Sequence, residues 1–159
     1  MLRLFLCLLF TTVTIIICRD CYRCMAVHHN AGIAISCDTR GMIEYWSTDT
    51  LAFPSSHITF EFKSDTNLYD LAKAKCSPIA ITVAPQQELF AITSSDKRIR
   101  IFDFRSGKLK RMYDESADTY PAAEYGRQLA LEREFESSPM MAHWNCAFDE
   151  SGNFLVFII

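Results

Sequence analysis

From Cys24 onward the chain is built of short runs in which apolar and polar positions alternate, and these runs recur in a fixed order. Cys24-Met25-Ala26-Val27 leads into a polar turn, His28-His29-Asn30-Ala31-Gly32, and then into Ile33-Ala34-Ile35-Ser36-Cys37. An Asp turn at Asp38 follows, and a strand that ends on Trp46. Ile79–Val83, the turn 84–88, Leu89–Thr93, an Asp turn at Asp96 and a strand ending on Phe102 repeat that order. Asn145–Phe148, the turn 149–153 and Phe154–Ile159 begin it a third time. Period-two alternation rich in β-branched and aromatic residues predicts antiparallel strands joined by tight turns. Aligning the turns places His28 on Ala84, a shift of 56 residues (84 − 28), and Ala84 on Phe148, a shift of 64 (148 − 84).

A strand group that returns along a chain predicts stacked or radial repeats. The expected fold is mainly β: a partial WD-repeat β-propeller of about two and a half blades over residues 24–159, with a helical insertion. The third unit stops at its second strand. WD-type repeats run to about 40–45 residues, so the longer shifts require insertions, placed at 47–75 and 110–143. In the second, Ala122 to Glu136 is rich in Ala, Leu, Glu, Arg and Gln and predicts a helix, with Pro121 in its first turn. In the first, Thr66 to Lys75 predicts a shorter helical turn capped by Asp65 or Thr66. Asp38, Trp46, Asp96 and Phe102 are the expected structural positions of the repeat. The expected core is Ile33, Ile35, Ile43, Trp46, Ile81, Val83, Phe90, Ile92, Ile99, Ile101, Phe102, Phe148 and Leu155.

Residues 1–20 break the pattern. Met1 to Cys18 is a continuous apolar run whose one charge is Arg3. It has the outline of a secretory signal or anchor, without a small-residue cleavage site. A buried strand from Val13 to Ile17, or a leader from an incomplete gene model, is the alternative. A net charge of -3 and an aromatic content of 13% describe an ordinary globular chain without the overall basic charge that nucleic-acid binding favours.

The candidate chemistry is sparse. Cys18, Cys21 and Cys24 form a C-x2-C-x2-C run, and His28 stands at the next suitable offset, a spacing that can hold zinc or an iron–sulfur cluster. The competing reading puts Cys24 in the first strand, facing the core, so no metal site is expected. Lys97, Arg98, Arg100, Arg105, Lys108, Lys110 and Arg111 form a local basic cluster, read as the exposed edge of a blade, with RNA contact as the alternative. Ser94, Ser95 and Asp96 read as a turn. No catalytic residues, no cofactor-binding residues and no glycine-rich phosphate loop stand out.

Several phrases carry a family resemblance: Gly41-Met42-Ile43-Glu44-Tyr45-Trp46, Lys63-Ser64-Asp65-Thr66-Asn67-Leu68-Tyr69 and Ser95-Asp96-Lys97-Arg98-Ile99-Arg100-Ile101-Phe102. Ser106-Gly107-Lys108-Leu109, Glu124-Tyr125-Gly126-Arg127 and Phe148-Asp149-Glu150-Ser151-Gly152 add to it. On these the chain resembles the WD-repeat region of the peptidylprolyl isomerase domain and WD repeat-containing family, spliceosomal cyclophilins with WD repeats. The resemblance implies a nuclear protein and protein partners among spliceosomal components, with no small-molecule substrate. It also implies that prolyl isomerisation resides in a cyclophilin domain without counterpart in this chain. The expectation is therefore a non-catalytic interaction scaffold that is not itself an enzyme. The alternatives are peptidyl-prolyl isomerase activity and a small secreted or membrane-anchored β protein. The Gly-His that precedes the first strand in many WD repeats is missing, so Asp38 and Asp96 are expected to lack a His partner.

Overall fold

The computed structural model describes residues 5–9, 12–16, 22–115 and 145–158. The chain is mainly β, as the alternation predicts. β1 (Phe5–Leu9) and β2 (Thr12–Ile16) form an antiparallel hairpin within the apolar leader, with Phe5 opposite Ile16. Among the described residues no helix is long and apolar enough to cross a membrane. β3 (Tyr22–His28), β4 (Ile33–Asp38) and β5 (Ile43–Ser47) form a three-stranded antiparallel sheet. The next sheet has four strands in chain order: β6 (Pro78–Val83), β7 (Leu89–Ser94), β8 (Arg98–Asp103) and β9 (Leu109–Asp114). β10 (Asn145–Phe148) and β11 (Leu155–Ile158) form a final pair. The first strands of successive groups lie side by side, β3 against β6 and β6 against β10.

The 56-residue shift holds strand by strand. Val27 pairs with Ala34 as Val83 pairs with Phe90, and Cys37 pairs with Ile43 as Thr93 pairs with Ile99. It carries Asp38 onto Ser94, however, and not onto Asp96: Asp38 ends β4 opposite Tyr22, just as Ser94 ends β7 opposite Pro78. Five residues separate Cys37 from Ile43 and Thr93 from Ile99, so the two turns are equal in length and Asp96 stands where the first sheet has Arg40.

Alternation decides which side chains meet. Ile35, Ile43 and Tyr45 of the first sheet pack against Phe90, Ile92 and Phe102 of the second. The opposite face of the second sheet, with Ala91, Ile99 and Ile101, meets Cys146, Phe148, Leu155 and Phe157 of the last pair. Trp46 corrects the expected core. It follows Tyr45 and so points to the other face, half-buried, with its indole N–H donating to Ser36 Oγ at 2.9 Å. Tyr45 takes the core position, 2% exposed. Ile81 and Val83 pack against the core only partly buried.

The insertion 47–75 is part of the core and no mere spacer. It contributes Ile58, Phe60, Leu68 and Leu71 to the space between the sheets. Backbone bonds fasten it to the β8–β9 turn: Thr59 N–H donates to Arg105 C=O at 3.0 Å and Asn67 N–H to Gly107 C=O at 3.0 Å. Its helix, α1 (Asp70–Ala74), starts later than Thr66, and its N-cap Tyr69 makes no side-chain capping bond. Thr66 instead holds the preceding turn, its hydroxyl donating to Lys63 C=O and accepting from Leu68 N–H.

The second insertion begins later than expected, because residues 110–114 continue β9. Alternation does not mark this strand, because Lys110, Arg111, Met112 and Tyr113 are all exposed and carry no buried face to set a period. It covers β8, which is therefore an interior strand and not the exposed edge that the charges suggested. The helix expected over Ala122 to Glu136 lies outside the described residues.

Candidate functional site

A densely bonded polar cluster joins the β7–β8 turn to β8. Strand alternation places Arg100 on the face that meets the first sheet, and only 3% of it is exposed. A buried guanidinium requires an anion and filled donors. Asp96 supplies the anion, with Arg100 Nη2 at 2.5 Å from Oδ2 and Nη1 at 3.2 Å from Oδ1. Ser94 Oγ accepts from Arg100 Nη1 at 2.5 Å and donates to Asp96 Oδ1 at 2.6 Å. Burial raises the Asp96 carboxyl, but the bonds from Arg100 and Ser94 outweigh it and bring it down to about 2. Asp96, expected to lack a histidine partner, is braced by Arg100 instead. Asp38 works differently, accepting from the N–H groups of Arg40 and Met42 at 2.9 and 2.8 Å, with no ion pair among the described residues. Ser94 is committed to this clamp and is not arranged as a nucleophile.

A small groove of about 260 Å³ opens where turns of the two larger sheets converge. His28, at the end of β3, forms one wall. Its Nδ1 accepts from Ala31 N–H at 3.3 Å, and its ring meets Phe104 edge-on at 4.8 Å between centroids. Phe104 and Arg105 come from the β8–β9 turn, Glu88 from the β6–β7 turn and His57 from the insertion. Arg105 and Glu88 form an exposed ion pair of 3.7 Å at the rim. Asn30 Nδ2 donates to Pro85 C=O at 3.1 Å and ties the two turns together. Ligand pockets for drug-sized molecules run to about 300–1,000 Å³, so this groove is smaller than such a pocket. Its residues are scattered between 28 and 105, and nothing in their local pattern marks them as neighbours.

The four candidate metal ligands are only partly described. Cys18 and Cys21 lie outside the described residues. Cys24 and His28 are four residues apart along β3, a separation of about 13 Å in an extended strand, too far to share one ion. Among the described residues no group of three or more His, Cys, Asp or Glu side chains is placed to hold a metal. The basic cluster is also divided. Arg100 is buried, and Arg98 pairs with Asp114 at 2.7 Å, leaving Arg105, Lys108, Lys110 and Arg111 exposed.

No protein-family model matches the chain. It is 46% identical over 136 residues to the peptidyl-prolyl cis-trans isomerase CYP71 of Arabidopsis thaliana, spanning 77% of this chain and 22% of that protein. It is 37% identical over 135 residues to the human peptidylprolyl isomerase domain and WD repeat-containing protein 1, spanning 77% of this chain and 21% of that protein. A Rhizopus delemar relative, the peptidyl-prolyl cis-trans isomerase cyp15, is 37% identical over 137 residues. The chain therefore spans about a fifth of the length of these relatives. Among solved structures, Chaetomium thermophilum Sqt1 bound to the N-terminus of the ribosomal protein L10 matches 94% of this chain and 31% of that one. The TM-score is 0.50 at 13% identity, a likeness of fold alone. The names of the relatives correct one expectation. The family resemblance leads to the expectation of a chain that is not an enzyme, whereas its relatives are named as peptidyl-prolyl cis-trans isomerases.

Proposed function

The chain is homologous to one region of the peptidylprolyl isomerase domain and WD repeat-containing proteins, and from that premise we propose that it serves in peptidyl-prolyl cis-trans isomerisation. The observation that carries this reading is the 46% identity over 136 residues to an isomerase. Within such a protein the repeated sheets act as successive blades of a WD-repeat propeller. The residue-for-residue shift between β3–β5 and β6–β8 supports that arrangement, as do the adjacent first strands. The blades present their turns to protein partners, spliceosomal components among them, in the nucleus. The groove between His28, Phe104 and Arg105 receives a partner side chain.

The test is a prolyl-isomerase assay on a proline-containing peptide, with this chain and with a full-length protein that contains it. Uncatalysed exchange takes tens to hundreds of seconds at 25 °C. Accelerated exchange by the full-length protein is expected, and a rate equal to the uncatalysed one overturns the reading. Arg105→Glu, which reverses the charge at the groove rim, is expected to weaken capture of nuclear partners by the full-length protein. Unchanged capture removes the groove from the proposal.

A further inference from the structure

We propose that Cys24 and Cys37 form a reversible redox pair, a modification site at which hydroperoxides link two strands of the first sheet. The observation is one of register: Cys24 of β3 lies directly opposite Cys37 of β4. Opposed residues in an antiparallel pair hold their Cα atoms about 4.5–5.5 Å apart. A disulfide accepts Cα separations of about 4.4–6.8 Å, so the link closes without unpairing the strands. A register shift between Tyr22 and Cys24, just beside the pair, gives β3 room to adjust.

The two thiols are unlike, and the difference assigns their roles. Cys24 is partly exposed, whereas Cys37 is fully buried in the core. A hydrogen bond from Cys37 lowers the Cys24 thiol below its ordinary value, and Arg23 adds to the effect against burial. The same bond raises Cys37, and burial raises it further. A partly exposed cysteine with thiolate character is the one that reacts first. Cys24 is therefore the attacking thiol and Cys37 the resolving one.

The chemistry balances with hydrogen peroxide as oxidant; with an organic hydroperoxide, the corresponding alcohol leaves in place of the first water. The Cys24 thiolate attacks one peroxide oxygen, and the O–O bond breaks. Hydroxide leaves and takes up a proton to become water, and Cys24 becomes a sulfenic acid, oxidised by two electrons. The Cys37 sulfur then attacks the Cys24 sulfur. The S–O bond breaks, a second water carries off the Cys37 proton, and the disulfide remains. Two thiols of the glutathione class return it to the dithiol by exchange, leaving as their own disulfide.

Trypsin isolates this pair. Cleavage after Arg23 and Arg40 releases residues 24–40, a peptide whose cysteines are Cys24 and Cys37 alone. The full chain is treated with hydrogen peroxide, alkylated in denaturant, digested and weighed by mass spectrometry. The expected product is peptide 24–40 unalkylated and lighter by two hydrogens, rising with peroxide dose and lost on treatment with dithiothreitol. Cys37→Ser is expected to leave Cys24 as a sulfenic acid that dimedone captures, and Cys76→Ser to preserve the link. Unfolding the chain in urea before oxidation is expected to lower the yield several-fold, as Cys18 and Cys21 compete for Cys24. The proposal is overturned if both cysteines of the peptide remain alkylated. It is equally overturned if Cys24 links to another cysteine in the folded chain, or if urea leaves the yield unchanged.

Discussion

Tyr45 grips Phe104 twice, once by its ring and once by its hydroxyl. The two rings meet edge to face at 5.5 Å between centroids, and Tyr45 Oη donates to Phe104 C=O at 3.1 Å. Tyr45 belongs to the three-stranded sheet and Phe104 to the turn after β8, so one side chain joins two repeats. Phe60 from the insertion and Phe90 from β7 meet the same ring at 5.8 and 6.2 Å. Burial raises the Tyr45 phenol well above its ordinary value, so the hydroxyl remains a donor across the physiological range.

Tyr45→Ala is expected to cost about 3–5 kcal/mol, the range for removing a large buried aromatic. Tyr45→Phe leaves the Phe104 carbonyl without this donor and costs about 1–3 kcal/mol. Trp46→Ala costs less than Tyr45→Ala, because Trp46 is only half-buried. Urea denaturation monitored by circular dichroism ranks the three, and a Trp46 effect equal to that of Tyr45 contradicts the assigned faces of β5.

The Asp96–Arg100 pair sets an acid limit on stability. The folded pKa of Asp96 is depressed to about 2, below its unfolded value of about 4. Its contribution is therefore fully present above pH of about 4 and is lost as pH falls toward about 2. Asp96→Asn is expected to destabilise the chain near neutrality and to flatten this part of the pH dependence. Arg100→Met, which leaves Asp96 without its cation, is expected to cost about 3–5 kcal/mol. Denaturation midpoints measured across the acid range check both.

Gly41 answers to the insertion. Its φ is +83°, and an added Cβ comes to 2.7 Å from Leu71 Cβ and 2.8 Å from Ala72 N. Backbone cannot yield as a side chain can, and a non-glycine residue is already strained at this φ. Gly41→Ala is expected to cost more than about 1 kcal/mol. Gly32→Ala, at φ +60° with Thr48 Oγ1 as its nearest neighbour at 3.3 Å, is the milder comparison. Thermal melts of the two variants give the order.

Any RNA contact must use the charges that face solvent. Replacing Lys108, Lys110 and Arg111 together by Ala is expected to leave stability within about 0.5 kcal/mol, as surface changes generally do. RNA retention that is unaffected by this variant excludes the edge as a phosphate-binding surface. Arg100 is unsuited to such a test, since its loss breaks the buried clamp.

The repeat was legible because local pattern and tertiary need agree there. Ile33, Ile35, Phe90 and Ile92 alternate with the sheet, and their turns fall at the polar segments 28–32 and 84–88. β9 was not legible, because an outer strand exposed along its length has no buried face to impose a period. Arg100 read as surface charge because a sequence cannot show that another strand will cover it. The groove and the Cys24–Cys37 pairing were equally hidden, since both depend on which segments are laid side by side.

By itself the sequence determined the β class, the 56-residue repeat and the kinship with a family of WD-repeat isomerases. Those properties are written in neighbouring residues or in the order of phrases along the chain. The tertiary structure decided that Tyr45 and not Trp46 enters the core, that Arg100 is buried against Asp96, and that the insertion closes the space between two sheets. The reason is common to all three. Alternation says that two faces differ, but only the packing of one sheet on the next decides which face is dry.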